Sequence, residues 1–280
     1  MPHSPDAAEK PRAAPPASPA ATGFFAGPVP RVIAHRGASG TVPENTLEAF
    51  QVAALAGAEM MELDLHLSSD GVPVVIHDPT LDRTTGARGR VARRTAAELA
   101  ALDAGYRFSL EGRRRFPYRG RGLGIPALED VLAALPEARF TLEAKTPDPA
   151  LDVPLARVLE RSRAGDRVLL AAIEGDVVRR LRRSFPGLPT NFGRDEVEDF
   201  LRQGTVPRGA GAFQVPPRHG IRPLVTRDFV AAAHGAGLEV HVWTVNASDG
   251  MRRLLDLGVD GIITDFPERL LAVYRERGLR

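Results

Sequence analysis

Short apolar runs alternate along the chain with longer segments in which apolar residues recur every three or four positions. A short, nearly continuous apolar run is typical of a buried strand, and the three-to-four spacing is typical of a helix with one buried face. The runs that predict strands are 31–34, 60–65, 140–144, 168–173, 189–192, 212–215, 239–243 and 261–263. The pattern therefore predicts a regular alternation of strand and helix from Arg31 onward.

A segment with helical spacing accompanies each predicted strand. These segments are 46–56, 128–135, 149–163, 176–185, 195–203, 226–236, 247–257 and 267–275. The residues that favour helix starts are Asn45 or Thr46, Thr226 and Ser248, and Gly57, Gly237 and Gly258 stand where helices should end.

Eight strands that alternate with eight helices are the repeat of a (β/α)8 TIM barrel, which typically needs about 250 residues. A doubly wound open sheet is the alternative, but the Gly-rich loop expected after its first strand is missing. Residues 74–77 read as an extra extended segment. Residues 78–126 then form an insertion after the second strand, with one short helix at 95–102 and an exposed Arg-rich loop at 107–121.

Residues 1–28 form a tail rich in Pro and Ala, which we predict to be disordered because its composition cannot build a core. The barrel domain is then 29–280. The tail has no continuous apolar stretch of the kind that a signal peptide needs, so we expect a cytoplasmic protein, with secretion through the tail left open. No apolar run approaches the roughly 20 residues that a bilayer requires, so we expect no integral membrane association.

The charge balance gives little sign of a nucleic-acid partner, because 37 Lys and Arg residues face 35 Asp and Glu residues and leave a net charge of +2. The absence of cysteine excludes disulfides, thiolate nucleophiles and cysteine zinc sites. We therefore expect no nucleic-acid partner and no cysteine-based site.

Polar residues collect where the predicted strands end, which is the edge at which TIM barrels carry their active sites. The strand ends read His35-Arg36-Gly37, Glu62-Leu63-Asp64, Glu143-Ala144-Lys145, Trp243-Thr244-Val245-Asn246 and Thr264-Asp265. Core packing alone does not explain apolar strands that all end in charge at one rim.

The alternation of side chains along a strand places Glu62, Asp64 and His66 on one face. Two buried carboxylates on one face repel each other unless a cation lies between them. Glu143 on the neighbouring strand would be a third oxygen donor. With no cysteine, this donor set favours Mg²⁺ or Ca²⁺, or Mn²⁺, over structural zinc.

His35 and His77 both end apolar segments near the same rim and are candidates for acid–base catalysis. Cleavage of a phosphodiester needs one proton taken from the nucleophile and one given to the leaving oxygen, so a pair of imidazoles suits it. Arg36 and Lys145 could hold the anionic phosphate. Gln214, at the end of the sixth strand, is a further candidate for substrate contact.

Other polar residues near the rim favour structural interpretations. His66 lies one pleat beyond the carboxylates and is expected to be hydrogen-bonded or solvated, and His241 is expected to fill the barrel interior. Glu44 could coordinate a ligand or orient another residue, but we favour its interpretation as a helix-start carboxylate.

The chain resembles the glycerophosphodiester phosphodiesterase family at these residues and in this order. The matching stretches are Ile33-Ala34-His35-Arg36-Gly37, Pro43-Glu44-Asn45-Thr46, Glu62-Leu63-Asp64, Asp70-Gly71, His77-Asp78, Leu142-Glu143-Ala144-Lys145, Val242-Trp243-Thr244-Val245-Asn246 and Gly258-Val259-Asp260-Gly261-Ile262-Ile263-Thr264-Asp265.

The resemblance implies a TIM barrel that hydrolyses glycerophosphodiesters to sn-glycerol 3-phosphate and an alcohol. It also implies roles for individual positions. The implied acid–base pair is His35 and His77, the implied metal ligands are Glu62, Asp64 and Glu143, and the implied substrate contacts are Arg36, Lys145 and Trp243.

Two other functions stay open. One is a phospholipase that acts on intact phospholipids, although the polar insertion does not suit a membrane-facing loop. The other is a barrel that binds phosphate esters without catalysis, although such a protein would be expected to lose part of the histidine and carboxylate set. The alcohol group, the preferred metal and the oligomeric state are left open by the sequence.

Overall fold

The computed structural model describes residues 23–110 and 115–280. The strands in chain order are β1 Arg31–His35, β2 Met60–Leu67, β3 Pro73–Val75, β4 Arg139–Ala144, β5 Val168–Ala171, β6 Thr190–Asn191, β7 Ala210–Val215, β8 Arg218–His219, β9 Arg222–Pro223, β10 Glu239–Val242 and β11 Gly261–Thr264. The helices are α1 Leu47–Ala56, α2 Ala96–Ala100, α3 Leu128–Ala134, α4 Asp152–Arg161, α5 Gly175–Ser184, α6 Arg194–Gln203, α7 Arg227–Gly235, α8 Ser248–Leu257 and α9 Pro267–Glu276.

Parallel strands pair in the order β1, β11, β10, β7, β6, β5, β4 and β2, and a pairing between β1 and β2 closes the ring. The short antiparallel β3 extends β2 outside this ring. The structure is therefore a TIM barrel, which confirms the predicted fold. All eight predicted strands overlap the observed ones, because the strands of a barrel are buried on both faces and read as apolar runs.

Alternate residues of each strand contribute to two separate apolar layers. Met61, Leu63 and Leu65 of β2 pack in the large layer between barrel and helices. Met60 belongs to the smaller cluster with Ile33. Because side chains alternate along a strand, Glu62 and Asp64 share the face of Met60 and point into the barrel.

The 3₁₀ helix Gly23–Phe25 lies within residues 1–28, which the sequence predicts to be disordered. The prediction is wrong for these three residues, because Phe24 is only 2% exposed and packs in the inner cluster. Residues 1–22 lie outside the described part of the chain.

Four of the predicted helix signals have the predicted role. The Thr46 and Thr226 hydroxyls accept the backbone N–H of Ala49 and Phe229 and begin α1 and α7. Gly57 ends α1 in the left-handed conformation, and Gly258 ends α8 in the same way. Ser248 was a wrong prediction, since the residue before α8 is Ala247 and no side chain caps that helix.

The insertion builds a small core of its own beside β3. Its buried residues are Val74, Ile76, Leu81, Val91, Leu99, Ala104 and Ile125. The predicted short helix is present as α2, which begins with a capping box between Thr95 and Glu98. The predicted loop 107–121 lies partly outside the described residues, at 111–114, and beyond that gap the Arg119 guanidinium stacks on Tyr106 and Phe116.

The hairpin of β8 and β9 lies between β7 and α7 and was not predicted from the sequence. Within the described ranges, no helix is long and apolar enough to cross a bilayer.

The buried ion pair at the start of β1 should contribute strongly to stability. The Arg31 guanidinium is 1% exposed and donates to both Glu239 carboxylate oxygens, at 2.6 and 2.7 Å, and to the carbonyls of Phe25 and Ala26. Arg31→Met should lower the free energy of unfolding by about 3–5 kcal/mol, because it leaves a largely buried carboxylate without its cation. Urea denaturation measures the change.

Arg161→Met is the matched control for that prediction. Arg161 donates to both oxygens of Glu129 at 2.8 and 2.9 Å, but both side chains are exposed. An exposed pair of this kind contributes no more than about 1 kcal/mol. Equal losses in the two variants would contradict a special role for the buried pair.

Candidate active site

Three neighbouring strands bring the predicted site residues together. His35 at the end of β1 is the register partner of Glu62 on β2, and Asp64 is the partner of Glu143 on β4. Parallel strands end at the same rim of the barrel, so these side chains converge there. The convergence that the sequence predicts is thus observed.

Glu62, Asp64 and Glu143 form a tight carboxylate cluster, in which one oxygen of each lies within 4.8 Å of the others. Glu62 is 4% exposed and Asp64 is fully buried. Burial, together with the negative charge of Asp64, raises the pKa of Glu62 to about 8. A divalent cation fits this donor set, because hard oxygen ligands suit such an ion and its charge would relieve the repulsion.

Two cationic side chains contact the same cluster. Arg36 Nε lies 3.1 Å from Asp64 Oδ2, and Lys145 Nζ lies 3.1 Å from Asp64 Oδ1 and 2.6 Å from Glu143 Oε1. Burial alone would raise the pKa of Asp64, but the charges of Arg36 and Lys145 outweigh it and hold that pKa below its usual range. Asp64 is therefore ionised and available as a ligand at neutral pH.

The turn between β1 and α1 shapes this end of the site. Arg36 and Asn45 have φ angles of 58° and 57°, and Gly37 has a φ of 82°. A Cβ at Gly37 would lie 2.5 Å from the backbone of Ala49, so only glycine fits there. The turn lets the Arg36 N–H donate to the Glu62 carbonyl and the Asn45 amide donate to Asp64 at 2.7 Å.

Each candidate catalytic histidine is anchored through Nδ1 to an aspartate. His35 Nδ1 lies 2.6 Å from Asp265 Oδ1, and His77 Nδ1 lies 2.6 Å from Asp78 Oδ1. This contact fixes the ring and favours the tautomer with the proton on Nδ1, which leaves Nε2 for chemistry. Burial lowers the pKa of His35, but the Asp265 hydrogen bond and the charge of Glu62 outweigh it and raise that pKa overall.

The Asp265 carboxylate is itself held in place. Asn246 donates to it at 2.6 Å and the Ser39 hydroxyl at 2.9 Å. The sequence placed Asp265 at the rim without assigning it this role, since the contact joins residues 230 positions apart.

An ionic network joins the insertion to the rim. Arg83 donates to both oxygens of Asp78, at 2.8 and 3.1 Å, and to both oxygens of Glu44, at 2.6 and 2.7 Å. Glu44 also accepts from Arg36 at 2.9 Å. Sequence reasoning missed Arg83, and for Glu44 it favoured a helix-start role over a coordinating or orienting one. In the sequence, the one sign of this network is Asp78, which directly follows His77.

The remaining polar candidates lie around the site. His66 is mostly buried, and its Nε2 lies 3.1 Å from the His77 carbonyl, so it supports the backbone of that residue. His241 is fully buried, as expected for the barrel interior, with Nε2 2.9 Å from Glu239. The Gln214 amide donates to Thr141 at 3.0 Å.

A cavity of about 470 Å³ opens at this rim. Six predicted residues line one side of it: His35, Arg36, Glu62, His77, Glu143 and Lys145. Gln214 and Trp243 also line the cavity, and Asp64 is fully buried beside it. The arrangement can hold a cation, an anionic group and two proton carriers in one place.

The raised pKa of Glu62 predicts how the stability of the metal-free protein depends on pH. A pKa that rises on folding, here from an ordinary 4.5 to about 8, favours the folded state below pH 4.5, and this contribution is lost as the pH rises to about 8. Unfolding free energy should therefore fall across this window after chelation, and less so in Glu62→Gln. Urea denaturation at both ends of the window measures it.

Added Mg²⁺ or Ca²⁺ should stabilise the wild type, because a ligand that binds only the folded state raises the melting temperature. Glu62→Gln should respond less, whereas Glu137→Gln, at an exposed position, should respond like the wild type. An equal response of Glu62→Gln and wild type would contradict a cation site at this cluster.

Comparison with known proteins identifies the family. The model of the glycerophosphoryl diester phosphodiesterase family matches residues 35–269. A glycerophosphodiester phosphodiesterase of Caldanaerobacter subterraneus is 31% identical, over 88% of this chain and 98% of the relative. One of Bacillus subtilis is 31% identical, over 84% of this chain and 83% of the relative. A crystal structure of the Agrobacterium tumefaciens enzyme is 28% identical, with a TM-score of 0.72 over 86% of this chain and 99% of that one. The chain therefore belongs to the glycerophosphoryl diester phosphodiesterase family and is a phosphoric diester hydrolase.

Proposed function

We propose that the protein hydrolyses glycerophosphodiesters to sn-glycerol 3-phosphate and an alcohol, with a divalent cation and two-histidine acid–base catalysis. The observation that carries the proposal is one cavity lined by both aspartate-anchored histidines and by Glu62 and Glu143, with Asp64 buried beside them. The family supports the reaction class, and the named relatives are glycerophosphodiester phosphodiesterases.

The cation would be held by Glu62, Asp64 and Glu143. All three offer carboxylate oxygens, which favours Mg²⁺ or Ca²⁺, with Mn²⁺ also suited to the donors. When bound, such an ion neutralises charge on the phosphoryl oxygens and so favours attack at phosphorus. Arg36 and Lys145 line the same cavity and would hold the remaining anionic charge of the diester.

The histidines would carry the protons through Nε2. One neutral imidazole takes the proton of the attacking hydroxyl as its oxygen bonds to phosphorus. The P–O bond to the alcohol then breaks, and the other histidine, protonated as an imidazolium, gives its Nε2 proton to the alcohol oxygen. Each transfer contributes roughly 10²–10⁴ in rate. Two routes stay open: direct attack by water, or attack by a glycerol hydroxyl to form a cyclic phosphate that water then opens. Which histidine is the base stays open as well.

A barrel that only binds phosphate esters is the alternative from another class. It would not need two imidazoles that are each oriented by a carboxylate. The full set of catalytic groups therefore favours the enzyme. The expected cytoplasmic location stays a prediction.

His35→Ala and His77→Ala should each lower kcat for glycerophosphocholine by about 10²-fold or more, since each removes a proton carrier. The measurement is release of sn-glycerol 3-phosphate with Mg²⁺, Ca²⁺ or Mn²⁺, and with EDTA, which should abolish it.

His234→Ala is the matched control. His234 on α7 also pairs with an aspartate, Asp260, at 2.8 Å, but it is not part of the cavity lining. It should keep wild-type activity. Full activity in EDTA would overturn the metal role, and near-normal turnover of both cavity variants would overturn the two-histidine mechanism. No product from several glycerophosphodiesters with any of the metals would favour the binding-only barrel.

A further inference from the structure

Arg83 does not line the cavity, yet its guanidinium contacts the aspartate that anchors His77. Arg83 Nε and Nη2 donate to the two Asp78 oxygens at 2.8 and 3.1 Å. Arg83 Nη1 and Nη2 donate to the two Glu44 oxygens at 2.6 and 2.7 Å. A planar fork of donors fixes the orientation of a carboxylate as well as its distance. Arg83 therefore determines which way the Asp78 carboxylate faces.

The Asp78 carboxylate depends on this contact for its orientation. Its Oδ1 lies 2.6 Å from His77 Nδ1, and among the described residues Arg83 supplies its other hydrogen bonds. The Asp78 side chain is 24% exposed, so water would compete for it if Arg83 were absent. Burial would raise the pKa of Asp78, but hydrogen bonds from Arg83 and His77 outweigh it and lower that pKa to about 2. Asp78 is therefore an anion held between the two residues.

The other histidine has a parallel arrangement. His35 is anchored by Asp265, and Asp265 is held by Asn246 at 2.6 Å and by the Ser39 hydroxyl at 2.9 Å. Each imidazole thus contacts an aspartate, and each aspartate is fixed by further donors. Arg83 does for the insertion what Asn246 and Ser39 do for the barrel.

The turn that carries Arg83 is held by buried residues on both sides. Leu81 and Thr85 are fully buried. The Thr85 N–H and hydroxyl both donate to the Leu81 carbonyl, at 3.1 and 2.8 Å, and the Leu81 N–H donates to the Gly89 carbonyl at 2.9 Å. Arg83 lies in the middle of this turn, so its side chain reaches Asp78 from a fixed backbone.

We infer that Arg83 is a positioning residue for catalysis, which fixes Asp78 so that Asp78 holds the His77 ring with its proton on Nδ1. The inference rests on the proposed function, because it concerns the acid–base role of His77. Without a fixed acceptor beside Nδ1, the ring can turn and its proton can move to Nε2, the atom that must exchange protons with the substrate.

Arg83→Met should lower kcat for glycerophosphocholine by about 10- to 100-fold, the range typical of residues that orient a functional side chain. KM should change by no more than about twofold, because Arg83 does not line the cavity. Arg83→Lys should recover part of the loss, since it keeps the charge but not the planar fork. An unchanged kcat in Arg83→Met, or a loss confined to KM, would overturn the inference.

Arg252→Met is the matched control. Arg252 on α8 also bridges two carboxylates, Asp249 at 2.9 Å and Glu276 at 2.8 Å, and its side chain is 39% exposed against 45% for Arg83. It is not part of the cavity lining. Arg252→Met should keep the wild-type kcat, and urea denaturation should show similar losses of stability in both variants. A far larger loss in Arg83→Met would assign Arg83 a structural role and contradict the inference.

A double-mutant cycle with Asp78→Ala separates the two contacts of the guanidinium. If Arg83 acts through Asp78, the double variant Arg83→Met/Asp78→Ala should have the kcat of Asp78→Ala alone, because the link to His77 is already broken. If the two losses multiply instead, Arg83 acts through Glu44, and the assignment to His77 is wrong.

The tautomer of His77 gives a measurement that does not need turnover. Nitrogen NMR on isotope-labelled histidines, at alkaline pH where imidazole is neutral, reports which ring nitrogen carries the proton, and His77→Gln assigns the signal. The proton should lie on Nδ1 in the wild type and shift toward Nε2 in Arg83→Met. An identical tautomer in both proteins would refute the inference alone. Absence of product from the wild type, with the tautomer shift present, would refute the proposed function and leave the positioning of His77 by Arg83 established.

Discussion

The whole site depends on keeping three carboxylates close together at the end of two adjacent strands. The alternation of side chains forces Glu62 and Asp64 to the same interior face of β2, and β4 adds Glu143. Like charges in a buried place are costly, and the raised pKa of Glu62 expresses that cost. Much of the surrounding structure compensates for it. Arg36 and Lys145 contact the cluster, and the left-handed turn after β1 lets the Asn45 amide reach Asp64.

The ion pairs that compensate for the carboxylate cluster also connect the insertion to the barrel. Arg36 contacts Asp64 with one side of its guanidinium and Glu44 with the other, and Glu44 continues through Arg83 to Asp78 and His77. The position of one histidine is thereby linked to the carboxylate cluster by alternating charges. The other histidine, His35, is held by Asp265, which directly follows the last strand. The insertion therefore helps to set the geometry of the site, since its own small core holds the segment that carries Asp78 and Arg83.

How well the sequence predicts a feature depends on how far apart along the chain the interacting residues lie. Strands and most helices were predicted because their patterns are local, and the strand-end chemistry followed from the barrel rule. The partner of His35 and the role of Arg83 were not, because Asp265 lies 230 positions from His35 and Arg83 lies 39 positions from Glu44 along the chain. Phe24 was assigned to the disordered tail for the same reason: the Pro/Ala-rich segment before it has no core pattern, and only the folded barrel offers the apolar cluster that it enters. The β8–β9 hairpin has two-residue strands, too short to give a pattern.

The two ends of the cavity are formed by different elements of the fold. The polar end is made by strand ends and the turn after β1, where a change alters charge balance or backbone conformation inside the barrel. The other end is lined by α6 and by the segment between β7 and α7, which contact solvent and tolerate changes of side chain more easily. A barrel built this way can keep one phosphodiester chemistry while its outer walls select the molecule attached to the phosphate.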